Sequence, residues 1–204
     1  MRKIFTALAA TAAFVPFMAQ AEGLSYTYAE AGWVQSDFDD YKVGDSGRLT
    51  EELGGWGLKA SFEIIDNLFV YGRYADQKTT VRGNDYTFQP WDIGVGYAYP
   101  ISDTFDVYGT VGYSNIDIDG PAALKNANDD GYTLGLGART RLIEKLELEG
   151  VAKYANFSDL GDNVAFQFAG RWFFTDAIAV GAEYTVGDNV DTIGFNVRYQ
   201  FPAK

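Results

Sequence analysis

Charged residues recur in this sequence at a spacing of two, as in Arg139 with Arg141 and Glu147 with Glu149. On an extended chain that spacing puts side chains on one side, because successive Cβ atoms point to opposite faces. Carrying one face by parity through every strand-like stretch collects seven bases: Lys59, Arg73, Arg139, Arg141, Lys153, Arg171 and Arg198. It also collects seven acids: Glu30, Glu63, Asp92, Asp106, Glu147, Glu149 and Glu183. Equal numbers of opposite charges suit a space shielded from water, where an uncompensated charge is costly. The chemistry open to such a set is ion pairing, passage of small solutes along a charged path, or acid–base work by paired carboxylates.

Other chemistry is thinly supplied. The chain has no His, the commonest general base and metal ligand, and no Cys, which excludes a disulfide framework. Asn115-Ile116-Asp117-Ile118-Asp119-Gly120 matches the opening of a calcium loop, in which alternating oxygen ligands precede a turn-forming Gly. The match fails at its twelfth position, where Asn126 stands in place of a bidentate Glu, and Ile116 and Ile118 continue a strand alternation instead. Neither Ser–Lys nor paired-carboxylate chemistry is accompanied by a strained nucleophile motif. Gly135 and Gly137 are strand glycines rather than a nucleotide fingerprint, because no helix follows them. No cofactor and no metal are expected.

The elements that must position the charged row are strands. Alternating runs bounded by Gly, Asn, Asp or Pro cover residues 24–36, 52–65, 68–80, 86–100, 105–119, 131–143, 146–158, 163–174, 177–187 and 190–201. Short connections at Asp66-Asn67, Pro100 to Thr104, Glu144-Lys145 and Thr175-Asp176 alternate with longer ones near 37–51, 76–86, 116–130, 157–162 and 187–191. Tight turns therefore fall at one end and larger loops at the other, the asymmetry of barrels whose periplasmic turns are short and whose extracellular loops are long. An even number of strands returns both termini to the turn end.

The row opposite the charges is apolar and bulky. Ile193, Phe195, Val197, Tyr199 and Phe201 face away from Thr192, Gly194, Asn196, Arg198 and Gln200. Leu134, Leu136 and Ala138 likewise oppose Gly135, Gly137, Arg139 and Arg141. Val164, Phe166, Phe168 and Trp172 oppose Gln167 and Arg171, while Trp91, Ile93, Val95, Tyr97 and Tyr99 oppose Asp92, Gly94, Gly96 and Ala98. A soluble barrel also alternates, but it turns its apolar row inward, and this row is too aromatic to fill a narrow core. Turned outward, it suits acyl chains with aromatic girdles at both interfaces, and the small and charged row suits a polar lumen. The reverse orientation would place Arg or Lys in lipid, at roughly 2–4 kcal/mol each near the midplane.

The first residues fit this compartment. Arg2 and Lys3 precede an apolar run from Ile4 to Met18 that ends in Ala19-Gln20-Ala21, the order of a cleavable secretory signal. The expected division is a signal peptide at 1–21 and a barrel at 22–204. The run is too short for a membrane anchor, and no later run approaches the roughly 20 apolar residues of a spanning helix. A mature chain that enters a membrane must do so as a closed barrel, the one other structure that satisfies every backbone group in lipid. Losing Arg2 and Lys3 takes the formal charge from −12 to −14, which argues against nucleic-acid binding.

Glu22-Gly23-Leu24-Ser25-Tyr26-Thr27-Tyr28-Ala29-Glu30-Ala31-Gly32-Trp33, together with Trp91-Asp92-Ile93-Gly94-Val95-Gly96-Tyr97, resembles a family of small proteobacterial outer-membrane β-barrel proteins. Some members of that family are described as secreted quorum factors of xanthomonads. The resemblance covers the mature chain in strand order and turn placement, and it implies a barrel delivered by the outer-membrane assembly machinery, which reads a final strand ending in an aromatic residue. Tyr199 and Phe201 match that feature, and Pro202-Ala203-Lys204 departs from it.

The fold expected is all-β: a closed antiparallel up-and-down transmembrane barrel of about ten strands, with eight as the alternative. Barrels near eight strands have interiors that side chains can fill, so a salt-bridged lumen is favoured over a small-solute pore. Arg139 and Arg171 are expected to pair with acids such as Glu147 and Glu183. Setting aside the fourteen inward charges and Arg2 and Lys3 leaves 21 acids and 7 bases, which makes the outer loops acidic. Asp37, Asp39, Asp40, Asp45, Glu51 and Glu52 concentrate in the first loop, where solvation is favoured over divalent-cation bridging to lipopolysaccharide phosphates. Barrel enzymes of the outer membrane mostly rely on a His, so a surface hydrolase ranks third. The functional expectation is a monomeric, non-enzymatic outer-membrane protein whose partners are membrane lipid and lipopolysaccharide, serving envelope structure or surface interaction.

Overall fold

The computed structural model describes residues 24–38, 41–43, 47–49, 52–81, 83–120, 127–188 and 190–201. The expected leader at 1–21, the terminal Pro202-Ala203-Lys204, loop acids Asp39, Asp40, Asp45 and Glu51, and Asn126 lie outside the described residues. The strands are β1 (Tyr28–Phe38), β2 (Tyr41–Val43), β3 (Gly47–Leu49), β4 (Glu52–Ile65), β5 (Leu68–Val81) and β6 (Asn84–Ser102). There follow β7 (Phe105–Asp119), β8 (Ala127–Ile143), β9 (Leu146–Phe157), β10 (Gly161–Phe173), β11 (Ile178–Gly187) and β12 (Val190–Gln200).

Ten of these, all except β2 and β3, form one closed barrel in chain order, with every pair antiparallel and β1 hydrogen-bonded to β12 at the seam. The eight-strand alternative is thereby excluded. The β2–β3 pair forms a separate hairpin inside the first long connection, where the sequence reading placed only a loop. Strands on the loop side also run further than expected: β6 begins at Asn84 rather than 86 and β8 at Ala127 rather than 131. Polar residues such as Asp129 and Asp130 do not end a strand whose neighbour continues to pair, as Ile116 and Asn115 do here. Asn115 to Asp119 run as part of β7, and the Asn115 side-chain amide exchanges hydrogen bonds with that of Asn128.

The turn end is built from tight reversals. Asn67 adopts φ 67° between β4 and β5, a left-handed conformation that Asn tolerates better than most residues.

Following directly paired residues once around the barrel leads from Phe173 through Ala179, Arg198, Glu30, Lys59, Arg73, Asp92, Ser114, Gly131 and Phe157 to Gly161 on the starting strand. The ladder returns about 12 residues away, which at roughly 3.4 Å per residue and 4.8 Å between strands tilts the strands by about 40°.

The outer face is apolar. Leu134, Leu136, Phe166, Phe168, Ile193, Phe195 and Val197 are exposed, while Arg139, Gln167, Arg171 and Arg198 on the alternate positions are buried. Towards the loop end an aromatic belt crosses eight adjacent strands: Phe195, Trp33, Trp56, Tyr74, Trp91, Tyr113, Tyr132 and Tyr154. The amphipathic Trp and Tyr rings of this belt are of the kind that sits where hydrocarbon meets headgroups.

The inner row is less uniformly small and charged than the sequence suggested. Phe38, Leu53, Phe88, Ile116, Ile118, Ala155, Phe157 and Val190 form a buried cluster towards the loop end. Tyr26, Phe69, Tyr71, Ala98, Tyr108 and Val151 form another towards the turn end. Inward glycines give the aromatic rings room to lie across the lumen. A Cβ at Gly96 would sit 2.2 Å from Phe69 Cζ, and one at Gly137 would sit 2.3 Å from Tyr108 Cζ. Gly96→Val is therefore expected to lower the unfolding free energy by about 2 kcal/mol through overpacking. Urea titration of the refolded barrel checks this, and an unchanged midpoint would show that the ring moves aside freely.

Candidate functional site: a charged belt inside the barrel

Between the two apolar clusters lies the charged row, and its order follows from the ladder. Arg198, Glu30, Lys59, Arg73 and Asp92 are successive cross-strand neighbours on β12, β1, β4, β5 and β6, so parity and stagger set opposite charges side by side at every step except Lys59 beside Arg73. On the other wall Arg171 and Arg141 both flank Glu147, and Arg139 flanks Glu149.

Four groups form the centre. Glu30 Oε1 accepts hydrogen bonds from Arg171 Nε at 2.9 Å and Arg198 Nε at 2.6 Å. Glu147 Oε1 accepts from Nη1 of the same two arginines, at 3.2 Å and 3.1 Å. Each guanidinium thus bridges two carboxylates and each carboxylate two guanidiniums, a charge-assisted geometry stronger than isolated pairs. Arg171 Nη1 also lies 2.7 Å from Glu149 Oε2, and Glu149 accepts from the Tyr108 hydroxyl. The Arg198 guanidinium stacks 3.7 Å above the Tyr28 ring. Lys59 extends the centre, with its ammonium on Glu183 and 3.7 Å from Glu30 Oε2.

The remaining residues of the set are placed differently. Arg73 Nη2 pairs with Asp92 Oδ2 at 3.1 Å as a side branch. Arg141 stands towards the turn end, 3.7 Å from Glu147 Oε2 with its guanidinium over the Phe173 ring. Lys153 donates to the Gln167 side-chain oxygen rather than to an acid. Asp106 is buried directly across the strand pair from Arg139. Glu63 is not drawn into the belt: its Oε1 accepts from the Asn67 backbone N–H at 2.7 Å and caps the β4–β5 turn.

Of the two arginine pairings expected, Arg171 reaches Glu147, whereas Glu183 is held by Lys59 and Gln167. Arg139 instead fastens the segment before β1. Its Nη2 donates to the Ser25 carbonyl at 2.8 Å, and its guanidinium lies 4.0 Å over the Tyr26 ring. Since β8 and β1 stand on opposite sides of the barrel, residues 24–27 cross the turn-end opening, with Tyr26 stacked on Phe69 at 4.5 Å. Tyr26, Tyr28 and Gln167 therefore belong to the site. Parity signalled Gln167, but nothing local in the sequence indicated that Tyr26 bridges the lumen.

Little free volume remains. Arg198, Arg139, Glu147, Arg171 and Glu30 are 0–3% exposed. The voids that flank Lys59 measure about 30 Å³ and about 60 Å³, room for a few water molecules. Chemically, the arrangement holds charge in place: the clustered carboxylates are committed to cations.

An apolar exterior with aromatic girdles, around a closed ladder and an ion-paired interior, defines a transmembrane β-barrel. The chain belongs to the outer membrane protein beta-barrel domain family, whose model matches residues 5–201. No curated protein matches it by sequence. Among solved structures it is similar in fold to the beta domain of the Bordetella autotransporter BrkA, at 10% identity and a TM-score of 0.52, covering 85% of this chain and 98% of that one. It is also similar to the translocator domain of the autotransporter NalP from Neisseria meningitidis, at 10% identity and a TM-score of 0.51, covering 87% and 90%. The outer membrane protein OprG from Pseudomonas aeruginosa aligns at 16% identity and a TM-score of 0.47, covering 89% of this chain and 100% of that one.

Removing one charge from the centre leaves two guanidiniums short of a partner in a low-dielectric space. Glu30→Gln is expected to cost about 3 kcal/mol of stability, and adding Arg198→Met to recover part of it. Urea unfolding of the single and double variants measures both, and equal losses in the two would contradict charge balance as the cause.

Proposed function

We propose that this protein is a non-enzymatic outer-membrane barrel with a filled, non-conducting lumen, which serves envelope structure or surface interaction through its loop end. The observation that carries this reading is the near-zero exposure of the central arginines and glutamates. A conducting pore lined by those groups would leave them in contact with water. Two further features support it: the apolar cluster around Phe38, Phe88 and Phe157 towards the loop end, and the segment at 24–27 fastened across the turn end by Arg139. Acid–base catalysis in the lumen is disfavoured because Glu30, Glu147, Glu149 and Glu183 each hold a cation.

In this reading the leader is removed after Ala21, the turn end faces the periplasm, and the chain reaches the membrane through the barrel assembly machinery as a monomer among lipid and lipopolysaccharide. The loop-end acids stay solvated. Like charges stand on adjacent strands there, with Asp37 paired across from both Asp191 and Glu52. Such an arrangement is tolerable where water screens it.

Purified protein inserted into planar lipid bilayers tests the proposal. The expected result is no stable conductance step, together with intact heat-modifiable migration on gels as proof of a folded barrel. Reproducible ohmic steps from the folded form would replace this reading with a small-solute pore.

A further inference from the structure

Among the described residues Lys153 is a lumen cation with no carboxylate within ion-pair distance. It lies 9% exposed on β9, inside the barrel, and its ammonium donates to the neutral Gln167 side-chain oxygen. Gln167 is itself turned towards an acid, its Nε2 donating to Glu183 Oε2 at 3.1 Å, but that carboxylate is taken by Lys59. The cavity of about 60 Å³ beside Lys153 is lined also by Lys59, Arg73, Arg171, Tyr28 and Glu149. Arg73 is matched by Asp92, Lys59 by Glu183, and Glu149 is engaged by Arg171 and Tyr108. Asp92 and Glu183 attract Lys153 from a distance, but both make their close ion pairs with other cations, so the cavity wall carries one positive charge that no carboxylate meets directly, which is costly in such a space.

We propose that this cavity is a binding site for a small inorganic anion of the halide class, held by the Lys153 ammonium and the flanking Arg73 and Lys59 and enclosed when the barrel shuts. The volume suits such an ion with a water or two, but excludes a polyatomic organic anion. An ion that binds the folded barrel and not the unfolded chain raises stability in proportion to its occupancy. The site has no part in the envelope role proposed above, and either idea can fail alone.

The test is to refold the full chain from urea into detergent in sodium chloride, sodium bromide or sodium gluconate at equal ionic strength. The expected result is a thermal unfolding midpoint several degrees higher in the two halides than in gluconate. Lys153→Met is expected to fold and to lose that difference. Crystals grown in bromide are expected to show an anomalous peak within contact distance of Lys153 Nζ. Equal midpoints for the wild-type barrel in all three salts, or bromide crystals with no peak in the cavity, would overturn the site and leave Lys153 as an uncharged amine. A halide effect that persists unchanged in Lys153→Met would also overturn it.

Discussion

The constraint on which this molecule rests is that charges withdrawn from water must find opposite charges at hydrogen-bond distance. Glu30 and Arg198 meet it at the most consequential place in the fold. They are cross-strand partners on β1 and β12, so the ion pair spans the seam where the first and last barrel strands join. Glu147 and Arg171 tie the same centre to β9 and β10 on the adjoining wall. A sheet that failed to close would leave these groups without partners, so closure of the backbone and neutralisation of the interior depend on each other.

The rest of the interior is arranged around that belt. Glycines on the inner row let Phe69, Tyr71 and Tyr108 lie across the lumen below the charges, and Phe38, Phe88 and Phe157 fill it above. The guanidiniums of Arg198 and Arg139 rest on Tyr28 and Tyr26, so aromatic rings mediate between ionic and apolar layers. Outside, the same alternation delivers an unbroken apolar band to lipid. One period-two pattern thus meets two solvents, and a slip of a single residue in any strand would exchange them.

Faces were legible in the sequence because parity is a local property. The ten barrel segments, the outward Ile193, Phe195, Val197 and Tyr199, and the inward position of Arg171 and Arg198 can all be read from alternation and turn residues. Height within the barrel was not legible, because it depends on a stagger accumulated over every strand pair. Glu63 has inward parity yet stands at the end of its strand and caps a turn. Glu183 was expected to engage an arginine but is reached across the lumen by Lys59, and Arg139, which stands between Asp106 and Glu149 in the ladder, also reaches across to the Ser25 carbonyl of the crossing segment. The inward aromatics escaped notice because composition alone assigns Tyr and Phe to an outer girdle, which they also form here. The β2–β3 hairpin lay in a stretch whose polar residues mask strand pairing.

The central claim is that β12 alternates between lipid and a packed, water-excluding interior. The sequence contains no Cys, so single cysteines carrying a nitroxide label can be placed from Thr192 to Gln200 without background. In liposomes, relaxation by dissolved oxygen and by a water-soluble nickel chelate reads lipid and water exposure at each position. The account predicts high oxygen exposure at 193, 195, 197 and 199, and low exposure to both agents at 194 and 196. Strong nickel relaxation at those even positions would mean a water-filled lumen and contradict it.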